Sequence, residues 1–360
     1  MESTIIVGAG LTGLLLAREL SRSGIQVTVL ERGELARESS WAGGGILSPL
    51  YPWRYPEPVT ALASWSQRHY GQWVADIQAE SGIDPEYIQS GLLIQGSSEE
   101  QDEAQAWAQQ YDVEMRPVNP AEATALEPRL GQPAQGLWLP RVGQVRNPRL
   151  LQALIKACTR LGVGFKENCP VEGVLQRDGR AYGVRTAAAE FEADSVVVAG
   201  GAWSREILGQ LGNKLQVEPV KGQMLLYQAE AGLLQRIVLS RGHYLIPRSD
   251  GHILVGSTLE YAGFDKTPTE QARRALQAAA EELIPMLVDY PLVKHWAGLR
   301  PGSADGIPYI GVHPQLESLY VSAGHFRNGV VMAPASARLL VDLMLGREPI
   351  LDPLPYVLKA

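Results

Sequence analysis

Cysteine is scarce in this sequence, and long apolar runs are absent from it. The 360 residues include two cysteines, Cys158 and Cys169, which form neither a C-x-x-C pair nor part of a metal-binding quartet. No apolar run approaches the roughly 18 residues that a membrane-spanning helix needs, and the N-terminus lacks the basic region and cleavage site of a signal peptide. We therefore expect a cytoplasmic protein with no metal site and no membrane partner.

An excess of positive charge is also missing. Lysine and arginine total 32 against 39 aspartate and glutamate, a formal net charge of −7. This balance gives no electrostatic reason to expect a nucleic-acid partner, and the chain shows no internal repeat or low-complexity tract. A small-molecule site is the better expectation, in a chain long enough for two domains or for one α/β domain with an insertion.

The strongest motif is IIVGAGLTGLLLAREL, residues 5–20. Residues 4–7 predict a buried strand, the apolar spacing after them predicts a helix that ends near Gly24, and IQVTVLER predicts a second strand. In the G-x-G-x-x-G pattern, Gly8 permits a tight turn, Gly10 lets the backbone approach a diphosphate, and Gly13 allows close helix–strand packing. The unit therefore predicts dinucleotide binding.

The acid that usually accompanies this unit is also present. Glu31 follows Gly13 by 18 positions, close to the roughly 20 expected for a carboxylate that accepts a ribose hydroxyl. These features do not separate FAD from NAD. The stretch FEADSVVVAGGAWS (191–204), a strand that ends in Gly200 and Gly201, favours FAD because it looks like a later strand of flavoprotein domains.

A glycine-rich loop, RESSWAGGGILSP (37–49), follows the first unit. Ser39 and Ser40 can bind phosphate, and the glycines 43–45 let the backbone lie flat against a planar ligand. A flexible linker is the alternative, but the bulky neighbours Trp41, Ile46 and Leu47 favour a packed loop.

Segments that resemble a dinucleotide-binding domain alternate along the chain with segments that do not. Asn147 and Pro148 begin a helix that Gly162 closes, with Cys158 on its apolar side, and Asp178-Gly179 marks a turn between strands. Residues 51–140 and 215–295 lack the dinucleotide pattern, and the second of these contains alternating strands. We predict an α/β fold: a discontinuous Rossmann-like FAD-binding domain (1–83, 141–214 and 297–360) with an inserted α+β substrate domain on an antiparallel sheet (84–140 and 215–296).

Four further stretches carry a family resemblance: PVKGQ (219–223), GHYLIPR (242–248), WAGLRPGSADGIPYIG (296–311) and LYVSAGHFRNGVVMAPASARLLVDLMLG (319–346). Over essentially the whole chain, the sequence resembles the D-amino-acid oxidase family of FAD enzymes, in particular its branch associated with thiamine biosynthesis. The resemblance implies oxidative deamination of glycine and small related amines or amino acids, such as sarcosine and small D-amino acids. It implies hydride transfer to flavin N5 and reoxidation by O2, giving an imino acid or glyoxylate, ammonia and H2O2.

The resemblance also implies the residues of the site. Arg300 matches the carboxylate-binding arginine, a role that suits its planar two-pronged donor, and Tyr244 matches a tyrosine that donates its hydroxyl to substrate. Arg327 matches a second arginine near flavin and substrate, although it could simply hold its loop. The implied FAD contacts are Gly8, Gly10, Leu11, Thr12, Gly13, Glu31, Arg32, Ser39, Ser40, Gly44, Gly45, Ile46, Val171, Gly200, His325, Phe326, Arg327, Asn328, Gly329, Val330 and Val331.

Other expectations concern the flavin and its surroundings. No cysteine lies in 296–311, so FAD should be bound non-covalently. A helix that begins between Gly329 and Pro334 would place its N-terminus near the reduced flavin, whose negative charge it would stabilise. We expect the rings of His243 and His325 to have structural roles, and the loop YPWRYPEP (51–58) could line or narrow the entrance.

Alternatives remain open at this point. The chain could be a dehydrogenase that passes electrons to a quinone or protein acceptor, or an oxidase that prefers other primary amines. A third class, an NAD-linked enzyme or a binding protein without turnover, is disfavoured because a mere binder has no need of a carboxylate clamp such as Arg300 and Tyr244. Members of the family commonly assemble, so we expect a homo-oligomer.

Overall fold

Helices and strands alternate along the chain, and the strands group into β-sheets. The computed structural model describes residues 1–96 and 98–359; Ser97 and Ala360, which fall in the predicted domain ranges, lie outside the described residues. In chain order the elements are β1 (Ser3–Val7), α1 (Leu11–Arg22), β2 (Gln26–Leu30), α2 (Ser39–Ala42), α3 (Glu57–Ser81), β3 (Leu92–Gln95), α4 (Gln101–Gln110), β4 (Arg116–Val118), α5 (Pro120–Leu126), β5 (Gly136–Leu139), α6 (Asn147–Arg160), β6 (Gly164–Lys166), β7 (Val171–Arg177), β8 (Arg180–Thr186), β9 (Glu190–Glu192), β10 (Ser195–Val198), α7 (Ser204–Leu208), β11 (Val217–Gln228), β12 (Ile237–Ser240), β13 (His243–Pro247), β14 (His252–Gly256), α8 (Glu270–Leu283), β15 (Leu292–Ser303), β16 (Tyr309–Val312), β17 (Leu319–Ala323) and α9 (Gly329–Met344).

Six strands of the described chain form a mostly parallel sheet in the order β16, β17, β10, β1, β2, β6. Neighbours are parallel from β17 to β6, and β16 pairs antiparallel with β17. Residues 5–7 and 196–198 are buried, as is typical of parallel strands that are covered on both faces. Helices α1, α3, α6 and α9 cover one face, and the small antiparallel sheet β7–β9 packs on the other.

Eight strands of the described chain form the second large sheet, in the order β15, β11, β14, β13, β12, β3, β5, β4. All neighbours are antiparallel except β12 and β3, which are parallel. Strands β11 and β15 are each 12 residues long and pair along their length. At their far end, the hydroxyl of Ser303 donates to the carbonyl of Gly324, just after β17 (2.9 Å). The long pair therefore connects the second sheet to the first.

The predicted fold class and several predicted elements are confirmed. The structure has an α/β layer built on the β1–α1–β2 unit and an inserted antiparallel sheet. Helix α6 begins at the predicted Asn147, and Cys158 within it is fully buried. Asp178 and Gly179 both have positive φ (52° and 76°) in the turn between β7 and β8. Helix α9 begins at Gly329, inside the predicted interval.

One predicted domain boundary falls inside a strand. The boundary between residues 296 and 297 divides β15, which pairs with β11 from Leu292 to Ser303, so the predicted division assigns one strand to two domains. In the described part of the chain, no helix is long and apolar enough to cross a membrane.

Candidate active site

A deep cavity lies where the carboxyl ends of β1, β2, β10 and β17 face strands β11, β13 and β15. Ligands of open parallel sheets bind at such carboxyl ends. The wall includes these predicted site residues: Gly8, Gly10, Leu11, Thr12, Glu31, Arg32, Ser39, Ser40, Gly44, Gly45, Ile46, Val171, Gly200, Tyr244, Arg300, His325, Phe326, Arg327, Gly329 and Val330. Gly13, Asn328 and Val331 were also predicted and lie outside the wall, so the cavity brings most, though not all, of the predicted set together.

The turn between β1 and α1 is built around close backbone contacts. Gly8 has a φ of 108°, and a Cβ atom there would lie 2.5 Å from the carbonyl oxygen of Ala199. A Cβ atom on Gly13 would lie 2.0 Å from the carbonyl oxygen of Gly8. Gly13 therefore acts as the sequence predicts for the third glycine, by allowing α1 to pack against the turn rather than by lining the cavity.

Glu31 and Ser40 hold the backbone at this end of the cavity. The buried carboxylate of Glu31 accepts hydrogen bonds from the amides of Ala9 (2.8 Å) and Gly33 (3.2 Å). The hydroxyl of Ser40 accepts from the amide of Leu11 (2.9 Å), the first residue of α1. Ser40 thus ties the glycine-rich loop to the helix N-terminus, and its predicted contact with phosphate stays a prediction.

A buried arginine fixes the glycine-rich loop. Arg248 donates to the carbonyl oxygens of Gly44 (2.7 Å) and Val145 (3.0 Å) and to the side-chain oxygen of Gln144 (2.7 Å). Burial lowers the pKa of its guanidinium to about 10. The loop is therefore packed, as its bulky neighbours indicate, and is not a linker. Sequence reasoning missed Arg248, although it ends the GHYLIPR stretch.

Unpaired polar groups meet at the other side of the cavity, around the start of α9. Ser322 Oγ, His325 Nε2 and Asn328 Nδ2 are buried with no hydrogen-bond partner among the described residues. Burial lowers the pKa of His325 to about 4, so its imidazole is neutral at neutral pH. The N-cap of α9, Asn328, makes no side-chain capping bond. Buried polar groups normally have partners, so Ser322 and His325, which line the cavity, suit a ligand with its own donors and acceptors.

These features together fit FAD. The N-terminus of α1 opens onto the cavity, and the N-terminus of α9 lies at its wall. The first suits a diphosphate, and the second suits negative charge on a ring system. Arg32 packs on the Trp203 ring, with its guanidinium carbon 3.6 Å from the ring centroid. Trp203 also lines the cavity; it lies in the stretch 191–204 but was not among the predicted site residues.

Arg300 lies at the substrate end of the cavity, on β15. Its Nη2 donates to Ser257 Oγ (2.7 Å), and its Nη1 donates to the carbonyl oxygen of Thr258 (3.2 Å). Burial lowers the pKa of its guanidinium. In the described part of the chain no carboxylate forms an ion pair with it, although an unpaired buried charge is costly. A ligand carboxylate would supply the missing partner with bidentate geometry.

Gly222 makes room for this arginine. Strand β11 lies between β15, which carries Arg300, and β14, after which Ser257 and Thr258 follow. A Cβ atom on Gly222 would lie 2.2 Å from Arg300 Nη1 and 2.3 Å from Nη2. The guanidinium therefore crosses β11 over the one position that has no side chain. The PVKGQ stretch contains this glycine, but the sequence alone did not show what crosses it.

Tyr244 and Arg327 complete the predicted substrate end. The hydroxyl of Tyr244, on β13, donates to Met224 Sδ (3.4 Å), and sulfur is a weak acceptor that a carboxylate could replace. Arg327 is exposed, has no hydrogen-bond or ion-pair partner in the described chain, and lowers the pKa of Arg300 as a like charge, although burial lowers it more. His243 is not part of the cavity wall.

The aromatic loop after residue 50 is anchored beside the cavity. Tyr51 Oη accepts from the amide of Gly242 (3.2 Å). Trp53 Nε1 and the Arg54 guanidinium both donate to the carboxylate of Glu100, the arginine with two bonds of 2.8 and 2.6 Å. Leu50 lines the cavity, whereas residues 51–58 do not.

Comparisons with known proteins agree on one family. The sequence model of the DAO family, described as FAD dependent oxidoreductase, matches residues 3–343. Glycine oxidase from Pseudomonas aeruginosa is 51% identical over 99% of this chain and 98% of that protein, and glycine oxidase from Pseudomonas putida is 49% identical over the same shares. The crystal structure of glycine oxidase from Geobacillus kaustophilus has a TM-score of 0.93 at 29% identity, covering 100% of this chain and 99% of that one.

Proposed function

Since this chain belongs to the DAO family of FAD-dependent oxidoreductases, we propose that it oxidises the carbon–nitrogen bond of glycine and of small related amines, with O2 as the electron acceptor. The observation that carries the proposal is Arg300, a buried guanidinium without an acidic partner in the described chain. It shares its cavity with the turn between β1 and α1. The similarity to two glycine oxidases from Pseudomonas species supports glycine as the substrate.

Arg300 and Tyr244 would bind the substrate carboxylate. The arginine offers two parallel donors, and the tyrosine hydroxyl, held near Met224 Sδ, offers a third. This grip fixes which hydrogen of the α-carbon faces the cofactor, because two bonds to a planar carboxylate remove its rotation. No side-chain base is needed once the amine is neutral.

FAD would lie between the turn that carries Gly8 and Gly10 and the start of α9. When bound, FAD supplies the two-electron oxidation of the amine and passes the electrons to O2. The helix N-terminus at Gly329 and the neutral His325 would favour negative charge on the ring without adding a full positive charge. We propose that the predicted division into an FAD-binding and a substrate domain corresponds to the two large sheets, and that the chain forms a homo-oligomer.

Glycine reduction in the absence of air tests the proposal. Purified yellow protein is mixed with glycine anaerobically, its visible absorption is followed, and O2 is then admitted while peroxide is assayed. Bleaching followed by recovery with one peroxide per turnover supports an oxidase. Bleaching that persists in air indicates a dehydrogenase with another acceptor, and an unbleached protein contradicts glycine as the substrate. Light scattering on the same sample gives the oligomeric state.

Arg300→Met identifies the carboxylate contact. Losing a charge-assisted bidentate bond of about 3 kcal/mol should lower kcat/KM for glycine by roughly 100-fold. A small primary amine without a carboxylate is the control substrate, since its oxidation does not use Arg300. Equal losses for both substrates would contradict the assigned role.

A further inference from the structure

A buried polar cluster lies behind the substrate end of the cavity, on the other face of β11. Lys221 and Gln223 flank Gly222, and the two residues are 1% and 0% exposed. Side chains alternate between the faces of a strand, and the guanidinium of Arg300 lies over Gly222. Lys221 and Gln223 therefore point away from the cavity, and neither residue is part of its wall.

Both side chains bind one segment, residues 257–269, which we call the strap. Lys221 Nζ donates to the carbonyl oxygen of Thr267 and to Asp265 Oδ2 (3.3 Å). Its backbone exchanges two hydrogen bonds of 2.9 Å with that of Glu260. Lys221 thus holds the strap by both main chain and side chain.

Gln223 satisfies every polar atom of its amide within this cluster. Its Nε2 donates to Glu260 Oε1 (2.8 Å) and to Thr269 Oγ1 (3.2 Å), and its Oε1 accepts from the amide of Thr269 (2.9 Å). The backbone nitrogen of Gln223 donates to Thr258 Oγ1 (2.9 Å). Gln223 therefore holds the strap near both ends: its main chain binds Thr258, and its side chain binds Thr269, the N-cap of α8.

The first residues of the strap are the ones that orient Arg300. Ser257 Oγ and the carbonyl oxygen of Thr258 accept two hydrogen bonds from Arg300, and the backbone carbonyl oxygen of Lys221 accepts a third, longer one (3.5 Å). The hydroxyl of Thr258 faces the opposite way and also donates to Glu260. A shift of the strap relative to β11 would therefore move the two shorter-range acceptors of the guanidinium, Ser257 Oγ and the Thr258 carbonyl oxygen, at once.

From this arrangement we propose that Lys221 and Gln223 are positioning residues for substrate binding: they hold the strap so that Ser257 and Thr258 orient Arg300 toward the carboxylate. The inference rests on the proposed function of Arg300. Burying a lysine costs desolvation that a well-packed apolar side chain would avoid. A contact that only stabilised the fold could use an apolar side chain at this position. We therefore interpret the directional hydrogen bonds of Lys221 and Gln223 as fixing the position of the strap.

Asp265 keeps the cluster charged over the working pH range. Hydrogen bonds from Thr267 and from Lys221 lower the pKa of its carboxyl to about 2. The groups that face Lys221 Nζ are Asp265, Glu260 (3.9 Å) and the Thr267 carbonyl. His295, on the neighbouring strand, contacts Gln223 Oε1 (3.0 Å).

Binding of acetate to the FAD-loaded protein tests the proposal without turnover. Acetate carries the carboxylate of glycine without its amine, and its binding is read from the perturbed visible spectrum of the flavin. Gln223→Met and Lys221→Met should each raise the dissociation constant of acetate and the KM of glycine about tenfold, the cost of one misplaced charge-assisted bond. The kcat and the FAD content should stay within about twofold of wild type, because neither residue lines the cavity.

Gln228→Met is the matched control. Gln228 lies on the same strand and donates to the carbonyl oxygens of Ala229 and Asp250, away from the strap. The Gln228→Met variant should therefore bind acetate with the affinity of the wild type. If the two cluster variants fold poorly, Asp265→Asn removes a partner of Lys221 at a half-exposed position and should weaken acetate binding at least threefold.

The outcomes separate the two proposals. Wild-type protein that binds neither acetate nor glycine overturns the proposed function of Arg300 and the inference with it. Wild-type binding with unchanged affinity in folded cluster variants overturns the inference alone. A parallel loss of FAD content, kcat and affinity would indicate general damage and would also overturn it.

Discussion

Gly222 is the residue on which the position of Arg300 depends most directly. Its missing side chain leaves the path by which the guanidinium crosses β11, with 2.2 Å between a would-be Cβ atom and Arg300 Nη1. Gly222→Ala should therefore displace the guanidinium and raise the KM of glycine at least tenfold, the loss of one charge-assisted bond. Steady-state kinetics and acetate titration measure this.

The control for this variant is another strand glycine. Gly173 lies on β7, and a Cβ atom there would have its closest contact at 3.8 Å. Gly173→Ala should leave the KM unchanged. Should Gly222→Ala bind acetate as wild type does, Arg300 can reach its carboxylate by another path and the geometric argument is wrong.

Single residues of the site differed in how well the sequence predicted them. Arg300 and Tyr244 lie in stretches whose order along the chain is diagnostic, so both could be proposed directly. Ser257 and Lys221 could not, because their roles depend on which strands flank β11, and local patterns do not encode that pairing. Arg248 was missed for the same reason: its partner on the glycine-rich loop, Gly44, is about 200 positions away in the chain.

Among the elements, the loop at residues 51–55 makes its own prediction. Arg54 holds the pKa of Glu100 below its usual range, so the ionised carboxylate stabilises the loop above its unfolded pKa of about 4.3, and this contribution is lost as the pH falls through the lower folded pKa. Glu100→Gln should speed hydrogen exchange of the loop. It should lower Tm by only about 1 °C, because half-exposed ion pairs contribute about 0.2–1 kcal/mol.

The neighbouring Glu99→Gln is the control for this anchor. Glu99 is exposed and has no bond to the loop in the described chain. If both variants exchange alike by mass spectrometry, Glu100 does not anchor the loop. A wild-type loop that exchanges faster near pH 3 than at pH 7, after correction for the intrinsic rate, would agree with protonation of Glu100.

Elements with a strong local signal were predicted well. The β1–α1–β2 unit, α6 and α9 combine helical or strand periodicity with glycine or proline at their ends, and the structure has them within a few residues. The parallel pairing of β12 with β3 could not be predicted, since about 140 residues separate the two strands. Likewise, the boundary at 296/297 divides β15, because family motifs mark residues that bind a ligand and not the ends of strands.

At the scale of the whole molecule, the cavity connects the two large sheets. Its wall takes residues from β1 and α9 on one side and from β11 and β15 on the other. A ligand that fills it contacts both sheets, and unfolding of either would release it. Binding of FAD should therefore stabilise the molecule as a unit and not the dinucleotide end alone.

The dependence of Tm on FAD concentration tests this. A ligand that binds only the folded state adds about 1.4 kcal/mol for each tenfold rise above its dissociation constant. For 360 residues, an unfolding entropy of about 2.1 cal/mol/K per residue converts this into about 2 °C per decade. Apoprotein titrated with FAD should show that slope, with one transition for the whole chain. ADP, which lacks the flavin, should shift Tm by the same amount at matched saturation, because in a single transition the shift depends only on the ratio of free ligand to its dissociation constant. Two separate transitions, only one of them sensitive to FAD, would show that the sheets unfold independently and that the cavity does not couple them.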